Sequence, residues 1–216
     1  MSHVQTFLKE FCAENFTDIP KAIAAGARRI ELCDNLAAGG TTPSRGVIQK
    51  TLSYARAHDT ATMVMIRPRG GNFEYTADEV EIMLTDIALC QELQVDGVVF
   101  GCLQGSWIDE EAITALLDAA KGLSVTFHMA FDSIEKERQF AAIDWLSQRG
   151  VSRVLTRGGP ACGAIEDHIE HLQALVAYAQ GKLCILPGGG IHHQNAERIL
   201  TLLGLTEVHG TKIVAF

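Results

Sequence analysis

The stretch MVMIRPRGGNFEYTADEVEIMLTDIALCQELQVDGVVF, residues 63–100, contains the repeating unit that decides the fold. It begins with a short apolar run, continues through a longer segment of helical period, and ends in a second apolar run. In the middle segment, from Thr76 to Gln94, apolar residues form one stripe, and early acidic residues favour the positive amino end of a helix. A strand, a helix and a further strand in this order make the βαβ unit of a parallel sheet.

The same alternation extends over the rest of the chain and predicts eight strands. Their predicted positions are Phe7–Cys12, Arg29–Cys33, Met63–Arg67, Gly97–Phe100, Ser124–His128, Arg153–Thr156, Leu183–Leu186 and Glu207–His209. Further helices are expected from Ile134 to Gln148 and from Ile165 to Gln180. Eight strands in this length predict a closed, parallel (β/α)8 TIM-type barrel, a single domain over residues 1–216. A doubly wound open sheet is the alternative, but no glycine fingerprint follows the first strand.

One flank of the predicted barrel is incomplete. The sequence ends at Phe216, just after the eighth strand, which leaves no room for an eighth helix. We therefore expect this flank to be apolar and uncovered. Because a monomer would expose it to water, we predict that the chain forms a homodimer or a higher homo-oligomer.

Charge and composition exclude several classes of partner. The net charge of -8 argues against binding to nucleic acid or to anionic membranes, since both favour a basic surface. No apolar run approaches the length of a membrane span, and the first five residues do not have the layout of a signal peptide. The six cysteines form no C-x-x-C pair and indicate reduced thiols. A cytoplasmic protein is expected.

The first two strands share a Glu-x-Cys pattern, formed by Glu10 and Cys12 and by Glu31 and Cys33. Because the alternate positions are apolar and face the helices, these side chains are expected to point into the barrel, where the two thiols could meet. Two thiolates with no third cysteine at ligand spacing suit Cu(I) better than tetrahedral zinc. The alternative interpretation is that both cysteines are small buried apolar residues.

Further polar residues at the strand ends indicate a different chemistry. The candidate catalytic residues are Glu31, Arg67, His128, Asp132 and His209. Together they supply acid, base and cation for an anionic substrate. Arg69 and the run Gly188, Gly189 and Gly190 are candidate anion-binding residues, since backbone amides after the seventh strand of a barrel commonly bind phosphate. The alternative is an internal ion-pair network, with the glycines serving only as turns.

Several segments resemble the CutC family, in the same order and over nearly the whole chain. They are Arg29-Ile30-Glu31-Leu32-Cys33, Gly39-Gly40-Thr41-Thr42-Pro43-Ser44, Met65-Ile66-Arg67-Pro68-Arg69-Gly70-Gly71, Asp96-Gly97-Val98-Val99-Phe100-Gly101, Thr126-Phe127-His128, Ala130-Phe131-Asp132, Arg153-Val154-Leu155-Thr156 and Pro187-Gly188-Gly189-Gly190-Ile191. The resemblance implies a barrel fold and a link to copper homeostasis. It also implies that Cys12 and Cys33 match the cysteines proposed to bind Cu(I) in some members. One departure is Met129, where the family often has arginine.

Two functional hypotheses follow. The first is a cytosolic protein that binds or transfers Cu(I) through Cys12 and Cys33 at the mouth of the barrel. The second is an enzyme acting on a small phosphorylated or carboxylated metabolite, with His128 or Glu31 as general acid or base and Arg67 holding the anion. The resemblance favours copper, whereas the number of titratable groups at the mouth favours an enzyme.

Overall fold

The computed structural model describes residues 7–160 and 162–216, and in it a parallel sheet curls around a central axis. The strands are β1 Leu8–Glu14, β2 Arg29–Cys33, β3 Ala61–Met65, β4 Gly97–Phe100, β5 Ser124–Phe127, β6 Arg153–Thr156, β7 Cys184–Pro187 and β8 Glu207–Gly210. Hydrogen bonds join β8 to β1 and then each strand to the next as far as β7. Within the described ranges no ladder joins β7 to β8, although the two strands lie side by side. The predicted TIM-type barrel is confirmed and is nearly closed.

Seven α-helices surround the strands in the described parts of the chain. They are α1 Ile19–Ala24, α2 Arg45–Arg56, α3 Ala77–Leu93, α4 Glu110–Ala119, α5 Lys136–Gln148, α6 Ile169–Ala179 and α7 Ala196–Leu203. Helix α3 begins at a capping box, in which Thr76 and Glu79 each accept a hydrogen bond from the other's backbone N–H. This exchange satisfies two amides that the first turn would leave unpaired, so the helix begins where the sequence predicts.

The carboxyl ends of several strands carry short elements that periodicity did not predict. A two-stranded hairpin, Leu103–Gln104 with Trp107–Ile108, follows β4. Single 3-10 turns follow β2 and β5 at Leu36–Ala38 and Met129–Ser133. A further 3-10 turn, Ile165–His168, occupies the start of the helix predicted from Ile165 to Gln180, so α6 begins four residues later than expected. Segments this short contain too few residues to establish a period, which is why the sequence pattern missed them.

Between α7 and α1 no eighth helix follows β8 in the described residues, as predicted, but this flank is more covered than expected. Residues after β8 continue without a helix, and the ring of Phe216 meets that of Phe11 edge to face at 5.8 Å. Phe11 is only 5% exposed, and Val208 is fully buried. The expected uncovered flank is therefore wrong at these two residues, because the end of the chain packs against β1. The homo-oligomer stays a prediction.

Alternation along the strands separates two apolar regions. Outward-facing side chains such as Ile30, Val64 and Phe127 pack against the helices in the main core. Inside the barrel lies a smaller cluster of buried residues, namely Cys12, Cys33, Met63, Met65 and Val99. Four of these five carry sulfur, so the inner wall on the β1 to β3 side is rich in soft donor atoms.

No helix in the described part of the chain is both long and apolar enough to cross a membrane.

Candidate functional site at the mouth of the barrel

The amino-terminal end of the barrel is closed by an ionic layer, which we call the floor and which comprises Glu10, Arg29, Arg153 and Glu207. Arg29 pairs with Glu10, and its Nη2 lies 2.8 Å from Glu207 Oε2. Arg153 donates through Nε to the same Glu207 oxygen at 3.1 Å and through Nη1 to Ser124 Oγ at 2.7 Å. The burial of Arg29 and Glu10 is tolerable because each charge faces an opposite one.

Above the floor, Cys12, Glu31 and Cys33 form what we call the thiol cluster. Cys12 is opposite Glu31 in the register of β1 and β2, and Cys33 lies two residues further along β2. The Sγ atoms of Cys12 and Cys33 lie 3.6 and 3.5 Å from Glu31 Oε1. One donor atom from each residue lies within 4.8 Å of the other two. The two thiols therefore meet, with a carboxyl group against both.

The two thiols have different acidities. A hydrogen bond from Cys33 and the proximity of the His209 imidazole lower the pKa of Cys12 to about 5, although burial acts in the opposite direction. The pKa of Cys33 is raised well above its ordinary value by its bond to Cys12 and by burial. Burial raises the pKa of Glu31 to about 8. Cys12 is therefore the thiol that ionises first, and Glu31 keeps its proton at neutral pH.

His209 connects the floor to the thiol cluster. Its Nδ1 lies 2.8 Å from Glu10 Oε1 and 3.8 Å from Glu31 Oε2. Although burial disfavours the imidazolium, interactions with the carboxyl group of Glu31, the thiol of Cys12 and the carboxylate of Glu10 raise the pKa of His209 well above its ordinary value. Burial also disfavours the charged form of Glu10 and by itself would raise its pKa. The interactions with His209 and Arg29 outweigh burial and lower the pKa of Glu10 to about 2. His209 thus presents a cation to the cluster.

A cavity of about 510 Å³ opens at the carboxyl ends of the strands, and we call it the mouth cavity. Its apolar wall is formed by Leu36, Met65, Phe73, Met129, Leu155 and Ile191. Its polar lining comprises Cys12, Glu31, Arg67, His128, His192, His209, Thr211 and Lys212, with Gly39, Gly189, Gly190 and Gly210. Cys33 is fully buried behind this lining, so Cys12 is the thiol of the pair that borders the cavity.

Arg67 lines the cavity, but its guanidinium is largely engaged with the protein. Nη1 donates to the carbonyls of Ala38 and Gly40 at 2.9 Å each, and Nη2 donates to Gly71 at 2.8 Å. Its Nε is buried and has no partner among the residues described. Arg67 therefore ties the loop after β2 to the loop after β3, and two of its five N–H donors remain for a ligand.

His128 is 4% exposed, and its ring faces the cavity beside Phe73 at a centroid distance of 4.9 Å. Nδ1 accepts a hydrogen bond from Ala130 N at 3.2 Å. Because burial and the charge of Arg67 lower its pKa to about 3, the imidazole is neutral and carries its proton on Nε2. This Nε2 is buried without a partner in the described structure. His128 can donate a hydrogen bond to a ligand.

Three other residues singled out by the sequence do not line the cavity. Asp132 accepts hydrogen bonds from Thr156 Oγ1 and Arg157 N and holds the end of β6, and burial raises its pKa to about 6. Arg69 pairs with Glu79 at 2.5 Å on the outer side of its loop. Gly188 packs under the cavity, where an added β-carbon would lie 2.6 Å from Leu155 Cδ1.

Sequence reasoning missed lining residues that lie in loops, notably Phe73, His192 and Lys212. No strand or helix periodicity covers these positions, so nothing in the pattern indicated which way their side chains point. The one available signal was their position shortly after strands three, seven and eight, because loops at that end of a barrel carry its functional groups.

Comparison with known proteins identifies relatives over almost the whole length. The CutC family model matches residues 7–214. A CutC family protein from Enterococcus faecalis is 57% identical over 208 residues, covering 96% of this chain and 100% of that protein. The human copper homeostasis protein cutC homolog is 41% identical over 204 residues, covering 94% of this chain and 72% of its own length.

Solved structures agree with the family match. The crystal structure of CutC from Streptococcus agalactiae has a TM-score of 0.94 and 45% sequence identity, covering 96% of this chain and 100% of that one. An aldolase, QR15, has a TM-score of 0.70 at 10% identity, with 98% and 92% of the two chains covered, and shows the fold alone. The chain belongs to the CutC family.

Proposed function

We propose that this protein binds Cu(I) in the cytosol, with the thiolates of Cys12 and Cys33 as ligands, and so buffers or transfers copper. The observation that carries this proposal is the meeting of the two sulfurs within 4.8 Å, with Cys12 bordering an open cavity and Cys33 buried behind it. A thiolate to metal bond measures about 2.3 Å for zinc. One ion of similar size can therefore bridge the pair with little movement of the strands.

The surroundings favour a soft, low-coordinate ion. Met63 and Met65 pack in the same cluster as the two cysteines, and thioether and thiolate are the donors that Cu(I) prefers. Tetrahedral zinc would need four firm ligands, whereas this group supplies two thiols and the carboxyl of Glu31. The name of the human relative, a copper homeostasis protein, supports copper as the cargo.

The cavity also supplies an entry route and a compensating charge. Cys12 borders the cavity and ionises first, so an arriving ion meets a thiolate there before it reaches the buried Cys33. One Cu(I) ion together with its two thiolate ligands forms a unit with a net charge of minus one. The imidazolium of His209, held by Glu10, can offset that charge within the low dielectric of the barrel. Both thiols must be reduced to bind, which fits the cytosol.

The test is an anaerobic titration of the reduced protein with Cu(I) against a chromophoric Cu(I) chelator. We expect Cys12→Ser and Cys33→Ser each to weaken binding by more than about 100-fold, since each removes half of the ligand set. Cys162→Ser is the matched control, because Cys162 is an exposed free thiol outside the barrel. If both barrel variants keep the affinity of the wild type, or if Cys162→Ser loses it equally, the proposed site is wrong.

A second candidate function is an enzyme that acts on a small anionic metabolite in the mouth cavity. The size of the cavity favours it, because a single ion needs no space of about 510 Å³, whereas small-molecule sites commonly have such volumes. His128 Nε2 and Arg67 Nε are buried hydrogen-bond donors without an acceptor among the described residues, and a copper ion would not supply an acceptor. Glu31, protonated at neutral pH, is the proton donor in this reading.

This candidate is tested by thermal denaturation with a broad panel of phosphorylated and carboxylated metabolites. We expect at least one to raise the Tm of the wild type and not that of His128→Asn. The Asn side chain can still accept from Ala130 N but has no donor at the Nε2 position. Stabilisation by no member of the panel contradicts the enzyme hypothesis and leaves the copper hypothesis intact.

A further inference from the structure

We propose that the loops after β7 and β8 bind the phosphate group of a small phosphate monoester, whose organic part lies in the mouth cavity toward His128. This inference deepens the second candidate function and rests on it. In this inference the loops after β7 and β8 hold the phosphate, and the remaining lining of the cavity holds the organic part. Binding of the ligand does not require copper.

The phosphate end is defined by backbone donors beside a cation. Gly189 and Gly190 line the cavity at φ of +76° and +94°, and their N–H groups donate to no residue that the structure describes. Lys212 lines the same end of the cavity from the loop after β8. Free amides in glycine loops after strands seven and eight are the usual phosphate-binding groups of barrels.

The Gly189–Gly190 loop packs closely against its neighbours at Gly189 and makes ordinary van der Waals contact at Gly190. A β-carbon on Gly189 would lie 2.9 Å from Met129 Cε and 3.3 Å from Arg157 Cδ. One on Gly190 would lie 3.8 Å from Arg157 Nη2. Arg157 therefore adds positive potential behind the same loop. Together with Lys212 it favours a doubly charged phosphate over a singly charged carboxylate.

The organic end of the ligand is defined by the remainder of the lining. Apolar contacts are available from Leu36, Phe73, Met129, Leu155 and Ile191. The unpartnered Nε2–H of His128 lies in this wall and requires an acceptor, such as a carbonyl or hydroxyl oxygen. Glu31 is the single acidic side chain among the described lining residues, and it lies beside the two thiols. The balance of charge thus favours an anion.

Phenyl phosphate is the probe, because it joins an apolar ring to a dianion, and phenol and benzoate are its matched neutral and carboxylate counterparts. Binding is followed by amide chemical shifts of the reduced, metal-free protein at pH 7.5. We expect phenyl phosphate to bind at least about 10-fold more tightly than phenol. Its largest shifts should fall on Gly189, Gly190 and Thr211, and inorganic phosphate should compete.

Charge variants locate the phosphate. Lys212→Met should weaken phenyl phosphate binding roughly 3- to 5-fold. Lys121→Met removes the same charge from the loop between α4 and β5, at the opposite end of the barrel, and should change nothing. Because the protein is metal-free in this measurement, binding of the probe tests this site separately from the copper site.

Three outcomes would overturn the inference. The first is an equal loss in Lys212→Met and Lys121→Met. The second is a set of shifts that excludes Gly189 and Gly190. The third is binding of benzoate as tight as that of phenyl phosphate, with shifts around His128 only, which would keep the second candidate function while rejecting a phosphate site. Failure of every probe would count against both.

Discussion

The floor and the mouth of this barrel are built on the same strands, yet they differ in whether their buried polar groups are paired. At the floor, Arg29 lies between Glu10 and Glu207, so that buried charges are paired. At the mouth, His128 Nε2 and Arg67 Nε are buried without partners among the described residues. Glu31, which lines the same cavity, is held in its protonated form.

The difference shows which end contributes stability and which end is available for a ligand. A paired buried charge is costly to break, so it constrains the fold. An unpaired buried donor costs free energy in the absence of a ligand and is tolerated where a ligand can supply the missing partner. Substitutions at the two ends should therefore affect stability in opposite directions.

The largest effect is expected from Arg29→Met. It removes the cation that lies between Glu10 and Glu207, which keep only His209 and Arg153 as partners, and it should lower the free energy of unfolding by about 3–5 kcal/mol. The corresponding fall in Tm is roughly 10 °C, measured by thermal denaturation. Arg45→Met breaks an exposed pair with Glu92 and is the matched control, for which no measurable change in Tm is expected. Equal effects of the two variants would remove the distinction between floor and surface.

Acid should weaken the floor next. The pKa of Glu10 is about 2 in the folded protein and about 4.5 otherwise, so its contribution is present above pH 4.5 and is lost as pH falls toward 2. The loss is on the order of 3 kcal/mol. Urea denaturation at several pH values should show a shallower acid slope in Glu10→Gln than in the wild type. Parallel slopes would contradict the pairing of Glu10 with His209 and Arg29.

A substitution in the mouth should raise the free energy of unfolding, whereas the floor substitution Arg29→Met lowers it. Because the pKa of Glu31 is raised from 4.5 to about 8, the folded protein holds a proton that the unfolded chain releases, and stability falls as pH rises between these values. Glu31→Gln has no such loss. We expect it to be more stable than the wild type at pH 7.5, on the order of 1–3 kcal/mol, with little difference at pH 4.5. Destabilisation at pH 7.5 would refute this.

The smallest effect concerns His128. The protonation state of its imidazole should not change between pH 5 and 8. With a pKa of about 3 it stays neutral, with the proton on Nε2. Nitrogen-15 chemical shifts of the ring, assigned with His128→Asn, provide the measurement. A titration within this range would show that the mouth is more hydrated than its burial indicates.

Much of the fold could be predicted because strand alternation is a local property. The predicted and observed bounds agree at Arg29–Cys33, Gly97–Phe100 and Arg153–Thr156. The third strand lies two residues earlier than predicted, at Ala61–Met65, because the apolar run continues through Ile66 after the ladder with β4 has ended. Periodicity finds an element more reliably than its last hydrogen bond.

The candidate site was predicted less completely. The inward direction of Cys12 and Cys33 followed from alternation, and their meeting followed from the pairing of β1 with β2. The position of Asp132 behind β6 did not follow, because it depends on hydrogen bonds with Thr156 and Arg157, which are about 25 residues away. Phe73 and Lys212 were missed for the same reason, as loop packing decides where they point.

The sequence by itself determined the barrel, the family resemblance and the Glu-x-Cys pairs, since these depend on local periodicity and on the order of motifs. Tertiary structure alone decided that His128 is neutral, that Arg67 ties two loops together and that Cys12 borders the cavity while Cys33 does not. The physical reason is that desolvation and hydrogen bonding depend on which distant residues surround a group, and only the folded chain brings them together.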